Sequence, residues 1–300
     1  MSKLYLMRGL PGSGKTTKAE EICKKSGNTT IRLNKDLLRE MLHFTDPNKP
    51  GYKFNYRQED EVRQAQKNLA EYFLGHRKNV IIDDTNLNPT TLANWKEFAK
   101  VHNAMCEVVD LTDVTWQECV IRDQHRMEEG QRYVGSTVIK NMAIESGLIK
   151  FEPDSVVICD IDGTIADTTK RQHFLTGEKK DWKSFFANID QDELRRDIAE
   201  RIIELYNSGK TIIYMSGRPD IYKGQTIRWL SEKFMSFGLT LIMRGGNDSR
   251  EDSIVKEEIL NRYFPDKSVI HCVFDDRPRV IRMWRKNGLE VNDVGNGVEF

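Results

Sequence analysis

The sequence predicts an α/β protein of two domains, residues 1–150 and 151–300, each built on a mainly parallel sheet. Three observations carry that prediction. Short apolar runs alternate with helical stretches, the pattern of strands joined by crossover helices. The alternation occurs twice along the chain. A length of 300 residues with 38% hydrophobic content is enough to bury two separate cores. The seam falls in "GLIKFEPDS", Gly147–Ser155, where a helix ends at a glycine and Pro153 stands before a new apolar strand.

In the first domain the strand candidates are Leu4–Met7, Thr30–Leu33, Val80–Asp83 and Glu107–Leu111, each a short run dominated by branched aliphatic residues. Helices are expected after the glycine loop, through Leu37–Leu42, over roughly Arg57–His76, and over Leu92–Val101. In the second domain the strands are Val156–Cys159, Thr211–Tyr214, Leu239–Met243 and Val269–Phe274. Helices fit Glu193–Tyr206, Tyr222–Phe237, Ser253–Tyr263 and Arg277–Lys286. There is no internal repeat and no low-complexity tract.

Lysine plus arginine equals aspartate plus glutamate at 46 each. Residues 1–150 hold 23 basic and 20 acidic residues, leaving 23 and 26 for the rest. Neither half is a basic sponge, so a nucleic acid would be held locally, at an end, and not along an extended track. The five cysteines are scattered with no Cys-x-x-Cys pair, which argues against a disulfide framework or a structural zinc site. The first strand begins at Lys3 with no charged leader, and no run of 18 apolar residues occurs, so a cytoplasmic protein without a membrane partner is expected.

"GLPGSGKT", Gly9–Thr16, matches G-x-x-x-x-G-K-[ST] between an apolar strand and a helix. Gly9, Gly12, Ser13 and Gly14 let consecutive backbone N–H groups wrap the phosphates of a nucleoside triphosphate. Lys15 reaches the outer phosphates and the Thr16 hydroxyl ligates magnesium. "LNKDLLRE" places Asp36 and Arg39 three apart on one helix face. Asp36 suits proton removal from an attacking hydroxyl and Arg39 suits a phosphate on the acceptor; the plainer alternative is a first-turn acid with a solvated arginine. "VIIDDTNLNP" ends a strand with Asp83 and Asp84, where Asp84 stands where an acid often meets magnesium or the acceptor and one of the two caps the loop. Arg122 and Arg126 share a helical face, with Arg132 beyond Gly130. They either close over a triphosphate or pair with Asp123, Glu128 and Glu129.

"DIDGT", Asp160–Thr164, follows the strand Val156–Cys159. Asp160 is suited to attack phosphorus, and Asp162 to protonate the leaving oxygen and then activate water. Ser216 follows a strand in "YMSGRPD", Lys256 stands in "VKEE", and Asp275 and Asp276 follow the fourth strand in "FDDRP". The serine and lysine suit a phosphate, and the late acids suit magnesium. Cys159, His173 and His271 read as ordinary core or surface residues, and Trp182, Phe185 and Phe186 read either as part of a small cap or as core packing, with packing favoured.

With "PGSGKT", "DTNLNP", "DIDGT", "SGR", "IVKEE" and "DDR…MWR" in this order, the chain resembles the T-even bacteriophage-type polynucleotide 5′-kinase/3′-phosphatase family over nearly its full length. The resemblance implies a P-loop kinase domain followed by a haloacid-dehalogenase-like, Rossmannoid phosphatase domain. It implies ATP and Mg2+ at Lys15 and Thr16, Asp36 as general base, Arg39 on the acceptor phosphate, Asp84 as a supporting acid, Arg126 on the donor phosphates and Arg122 as its lid partner. In the second domain it implies Asp160 as nucleophile and Asp162 as acid/base. Arg171, Ser216, Arg218, Asp252 and Lys256 then serve the phosphate, while Asp160, Asp162, Asp275 and Asp276 surround magnesium. The implied partners are DNA or RNA ends carrying 5′-hydroxyl and 3′-phosphate, handed on to a ligase, with a homotetramer as the assembly and the host-cell cytoplasm as its place. Two other readings are a small-molecule or nucleoside kinase fused to a metabolite phosphatase, and a non-catalytic end binder.

Overall fold

The computed structural model describes residues 1–43, 56–176, 179–234, 239–246 and 248–297. The chain forms two compact units, Met1–Ile149 and Lys150–Phe300.

The first unit runs β1 (Lys3–Arg8), α1 (Lys15–Ser26), β2 (Thr30–Leu33), α2 (Lys35–His43), α3 (Tyr56–Gly75), β3 (Asn79–Ile82), α4 (Pro89–Val101), β4 (Met105–Asp110), α5 (Trp116–Glu128) and α6 (Ser136–Glu145). Its sheet has the order β2-β3-β1-β4, with every pairing parallel. Alternation along each strand supplies two cores. Leu4, Leu6, Val80 and Ile82 face Ala70 and Leu74 of α3 and Trp95 and Ala99 of α4. Met7 and Ile81 face Ala19 of α1 on the other side. Parallel strands bring the carboxyl ends of β1, β2 and β3 to one edge, where loops can converge on a ligand.

The second unit runs β5 (Val156–Cys159), β6 (Ala166–Asp167), α7 (Trp182–Ala187), β7 (Glu193–Leu194), α8 (Arg196–Asn207), β8 (Thr211–Pro219), α9 (Lys223–Lys233), β9 (Leu241–Arg244), α10 (Asp252–Tyr263), β10 (Ile270–Asp275), α11 (Pro278–Lys286) and β11 (Val291–Asp293). The parallel order is β11-β10-β5-β8-β9, so β5 lies in the middle with all four residues buried. The helix expected from Glu193 starts at Arg196, because Glu193 and Leu194 pair with Asp167 and Ala166 in a short antiparallel ladder. Strand β8 extends five residues beyond the expected Tyr214, to Pro219. The C-terminal end of the expected helix Tyr222–Phe237 lies outside the described residues. Among the described residues no helix is long and apolar enough to cross a membrane.

Candidate active sites

In the first unit the loop between β1 and α1 is shaped by glycine. Gly12 has φ 87°, and a Cβ there would lie 2.4 Å from the Cys119 carbonyl oxygen, so the loop lies against α5 only without a side chain. Gly14, at φ 93°, leads directly into α1 and leaves that helix's first N–H groups aimed at the cleft. Lys15 Nζ donates to the Leu10 carbonyl at 2.6 Å, and burial lowers its ammonium to about 8.

Adjacent acids at the end of β3 divide the labour. Thr16 Oγ1 donates to Asp83 Oδ2 at 3.1 Å, and Arg32 grips the same carboxylate through Nε at 2.8 Å and a terminal nitrogen at 2.7 Å. Asp84 instead accepts from Gln66 Nε2 at 2.9 Å and the Lys35 backbone N–H at 3.3 Å, and burial raises its carboxyl. Asp83 therefore faces the P-loop threonine, and Asp84 faces the α2–α3 side.

Asn34 caps α2 by accepting from the Asp36 and Leu37 N–H groups at 2.9 and 3.2 Å, which fixes Asp36 at the mouth of the cleft. Arg39 donates to Asp36 from one terminal nitrogen while forking onto Glu59 at 2.8 and 3.0 Å. Arg132 meets the other Asp36 oxygen at 2.5 Å. The loop bearing Arg132 is pinned by buried Asp123, which accepts the Val134 and Gly135 N–H groups at 3.1 and 2.8 Å. Lys15, Thr16, Asp36, Arg39, Asp83, Asp84, Arg126 and Arg132 all line one cleft of about 670 Å³. Arg122 does not line it: it pairs with Glu118 and reaches the Gly12 carbonyl at 3.4 Å, against the outside of the loop.

In the second unit the carboxyl ends of β5, β8 and β10 and the start of α10 assemble a buried charge cluster. Lys256 Nζ lies 2.7 Å from Asp160, 2.9 Å from Asp275 and 3.7 Å from Asp252, with its side chain 1% exposed. Burial works to lower the lysine, but the three carboxylates outweigh it and hold the ammonium well above its usual range. Burial raises the Asp160 carboxyl well above its usual range despite Lys256. Asp276 is pushed up to about 6 by burial and then by Asp275, although Thr164 Oγ1 donates to it at 3.1 Å. Asp275 also accepts from Trp284 Nε1 at 3.1 Å and the Arg277 N–H at 3.1 Å. Gly163, at φ 80°, leaves room that a Cβ would close, since it would stand 2.1 Å from Asp276 Oδ2.

Ligand oxygens of Asp160, Asp275 and Asp276 lie within 4.8 Å of one another. Three hard oxygen donors suit Mg2+. Asp162 was also expected near the metal; its side chain is held by two arginines. Arg218 donates to it at 2.8 and 2.7 Å, and Arg171 donates to the same Oδ1. Burial favours the neutral form of Asp162, yet Arg218 and Arg171 outweigh burial and hold its carboxyl well below the usual range. The same observation gives the two arginines a second partner besides the expected phosphate. Both are fully buried and pair with the carboxylates of Asp162 and Asp192. Ser216 lies beneath them, its Oγ accepting the Arg218 N–H at 3.2 Å. Asp252 pairs with Arg244 at 3.1 Å and Arg277 at 3.4 Å as well as with Lys256.

Two participants carry no motif: Glu59, which shares Arg39 with Asp36, and Asp192, which shares Arg171 and Arg218 with Asp162. Phe185, read as packing, is buried and stacks on the Arg171 guanidinium at 4.0 Å, while Trp182 is 40% exposed.

Residues 154–299 match the family model described as the polynucleotide kinase PNKP phosphatase domain, and residues 4–145 match that of the AAA domain. A provisionally named bifunctional polynucleotide kinase/RNA ligase of Autographa californica nuclear polyhedrosis virus is 30% identical over 94% of this chain. The chain spans 41% of that relative's length. A solved structure of the Pnkp1/Rnl/Hen1 RNA repair complex contains a chain 26% identical, with 99% of this chain and 96% of that one covered at a TM-score of 0.41. Mycobacterium tuberculosis APS kinase is 19% identical over 44% of this chain and 73% of its own, at a TM-score of 0.32. The family matches bear out two α/β domains, a P-loop kinase domain followed by a haloacid-dehalogenase-like phosphatase domain.

Proposed function

We propose, from the match of residues 154–299 to the polynucleotide kinase phosphatase-domain model and of residues 4–145 to the AAA-domain model, that this chain heals broken nucleic-acid ends for ligation. One unit phosphorylates the 5′-hydroxyl from ATP and the other removes the 3′-phosphate. The observation that carries the reading is Lys256 Nζ at 2.7 Å from Asp160, a buried ammonium holding a carboxylate at the end of the central strand of the second unit.

In the kinase cleft the Asp36 carboxylate takes the proton of the attacking 5′-hydroxyl. Arg39, held by Glu59, contacts the neighbouring acceptor phosphate. Lys15 and Arg126 offset charge on the transferring group. In the phosphatase, Asp160 attacks phosphorus, the bond to O3′ breaks, and Asp162 protonates the departing oxygen. Water then attacks the aspartyl-phosphate, gives its proton to Asp162 and releases inorganic phosphate. The arginines keep Asp162 ionised at rest, the form that accepts the water's proton. For the first step Asp162 takes up the proton carried in by the bound 3′-phosphate monoanion, whose charge raises the carboxylate's proton affinity, and passes it to O3′. Asp160, Asp275 and Asp276 would hold Mg2+ in the phosphatase, and Thr16 with Asp83 would hold it beside ATP, where its charge neutralises phosphoryl oxygens.

The viral relative's name, which couples a polynucleotide kinase to an RNA ligase, favours RNA ends and hand-off to a ligase. A homotetramer in the host-cell cytoplasm remains the expectation from family resemblance, and sedimentation tests the assembly. For the activity, an oligonucleotide with 5′-hydroxyl and 3′-phosphate is incubated with ATP and Mg2+ beside free nucleosides, and both ends are read by mass spectrometry. Conversion of both oligonucleotide ends is expected. Turnover confined to nucleosides overturns the reading in favour of a small-molecule kinase, and binding without turnover in favour of an end binder.

A further inference from the structure

Asp192 has no place in the motifs, yet it is 1% exposed and occupies the centre of the arginine pair that holds Asp162. Arg171 donates to it twice, from Nε at 2.6 Å to one oxygen and from a terminal nitrogen at 2.6 Å to the other. Arg218 reaches the second oxygen at 3.3 Å. Its main chain is fixed as well, since Trp229 Nε1 donates to the Asp192 carbonyl at 3.0 Å. Arg171 has further constraints: the Phe185 carbonyl accepts from it at 3.2 Å and the Phe185 ring lies on its face. A guanidinium is a planar fork, so two bonds to one carboxylate fix its plane and thereby the direction of its remaining N–H groups. Those remaining groups are the ones that hold Asp162.

We propose that Asp192 is a positioning residue of the phosphatase, which fixes Arg171 and Arg218 so that Asp162 is aimed at the oxygen leaving phosphorus. The inference rests on the 3′-phosphatase reading above. The step at stake is the first one: the O3′–P bond breaks, its electron pair leaves with O3′, and the proton comes from Asp162. Oriented proton transfer contributes about 10²- to 10⁴-fold, and a misplacement of about 1 Å forfeits roughly 10²-fold.

The dependence on the leaving group separates this role from a merely structural one. A sugar alkoxide needs the proton, whereas p-nitrophenolate departs without it. The measurement is kcat/KM of the full chain in Mg2+, which reports steps through phosphoenzyme formation, for a 3′-phosphorylated oligonucleotide and for p-nitrophenyl phosphate. Asp192→Asn should lower the oligonucleotide value about 10- to 100-fold and the aryl phosphate value no more than about threefold. Arg171→Lys, which keeps the charge and loses the fork, should give the same pattern. Asp192→Glu should recover part of the oligonucleotide rate. Equal losses on both substrates, in either variant, overturn the positioning role, as does an Asp192→Asn enzyme that is unimpaired. If Asp192→Asn does not fold, Arg171→Lys decides by the same ratio. Failure of the underlying reading is distinct, because wild-type protein would then release no phosphate from the oligonucleotide.

Discussion

Lys256→Met is the perturbation whose consequence is most directly set by the geometry. The substitution keeps an unbranched side chain one atom shorter and removes one positive charge from contact with Asp160 and Asp275 at 2.7 and 2.9 Å and from Asp252 at 3.7 Å. With an effective dielectric of about 20, each close pair is worth roughly 6 kcal/mol of attraction, most of it opposed by the desolvation of the ammonium. Removing one partner of such a buried set therefore costs about 3–5 kcal/mol net, because carboxylates remain buried without a counter-charge. The penalty has a definite pH dependence. Burial and mutual repulsion already raise Asp160 well above the usual range and Asp276 to about 6, and loss of the lysine raises Asp160 further. An acid whose folded value is raised binds protons more readily folded than unfolded. It destabilises the fold above that value, and the deficit is relieved as pH falls through it toward the unfolded value of about 4. Urea unfolding of the variant and wild type in EDTA, at pH 8 and pH 5.5, should show the full loss at the higher pH and a smaller one at the lower. A loss below about 1 kcal/mol at pH 8, or one that grows on acidification, would refute the reasoning.

Three further outcomes are expected. Lys15→Ala or Asp36→Ala should abolish 5′-phosphorylation and spare 3′-phosphate removal, and Asp160→Asn should do the reverse because an amide cannot form the acyl-phosphate; loss of both activities in a folded variant refutes that division. Arg126→Ala should lower kinase kcat by about tenfold or more, since it lines the cleft beside Lys15; an increase confined to the KM for ATP would make it a ground-state contact. Acceptor affinity should fall with salt at a log–log slope of roughly −1.4 to −2.1, for about two or three phosphate contacts on a single strand, and a slope near −5 would show a longer basic track.

The P-loop was legible because its conformation is forced locally: Gly12 and Gly14 take φ near +90°, and the strand before and helix after them are each readable from pattern. The order of phosphatase motifs was legible because parallel strands bring successive carboxyl ends to one edge. The assignment between Asp83 and Asp84 was not legible. Neighbours at a strand end point to opposite sides, and only the packing of α1 on the Ile81 face of the sheet shows which one meets Thr16. The roles of Arg171 and Arg218 were hidden for another reason. Their carboxylate partner Asp192 lies 21 residues beyond Arg171 on a segment without a motif.

That difference between nominating residues and knowing their duty comes down to charge balance. Among the described residues the cluster holds two ion-paired groups, Asp162 and Asp192 with Arg171 and Arg218, and Asp160, Asp252 and Asp275 with Lys256, Arg244 and Arg277, and Asp276 lies beside the second. Six carboxylates against five cations leave the cluster short of one positive charge when all are ionised. Buried ions are tolerated only when compensated. Burial raises Asp192 to about 6 although two arginines hold it, and it also raises Asp160 and Asp276, which with Asp275 suit a divalent cation. Mg2+ there would turn the deficit into a single excess positive charge, the sign that favours an entering phosphate, while the arginine pair keeps Asp162 out of that competition. On this reading the arginines serve the phosphate by reserving one carboxylate for the proton. The division is a property of which acids are buried together, which the linear order of the motifs does not contain.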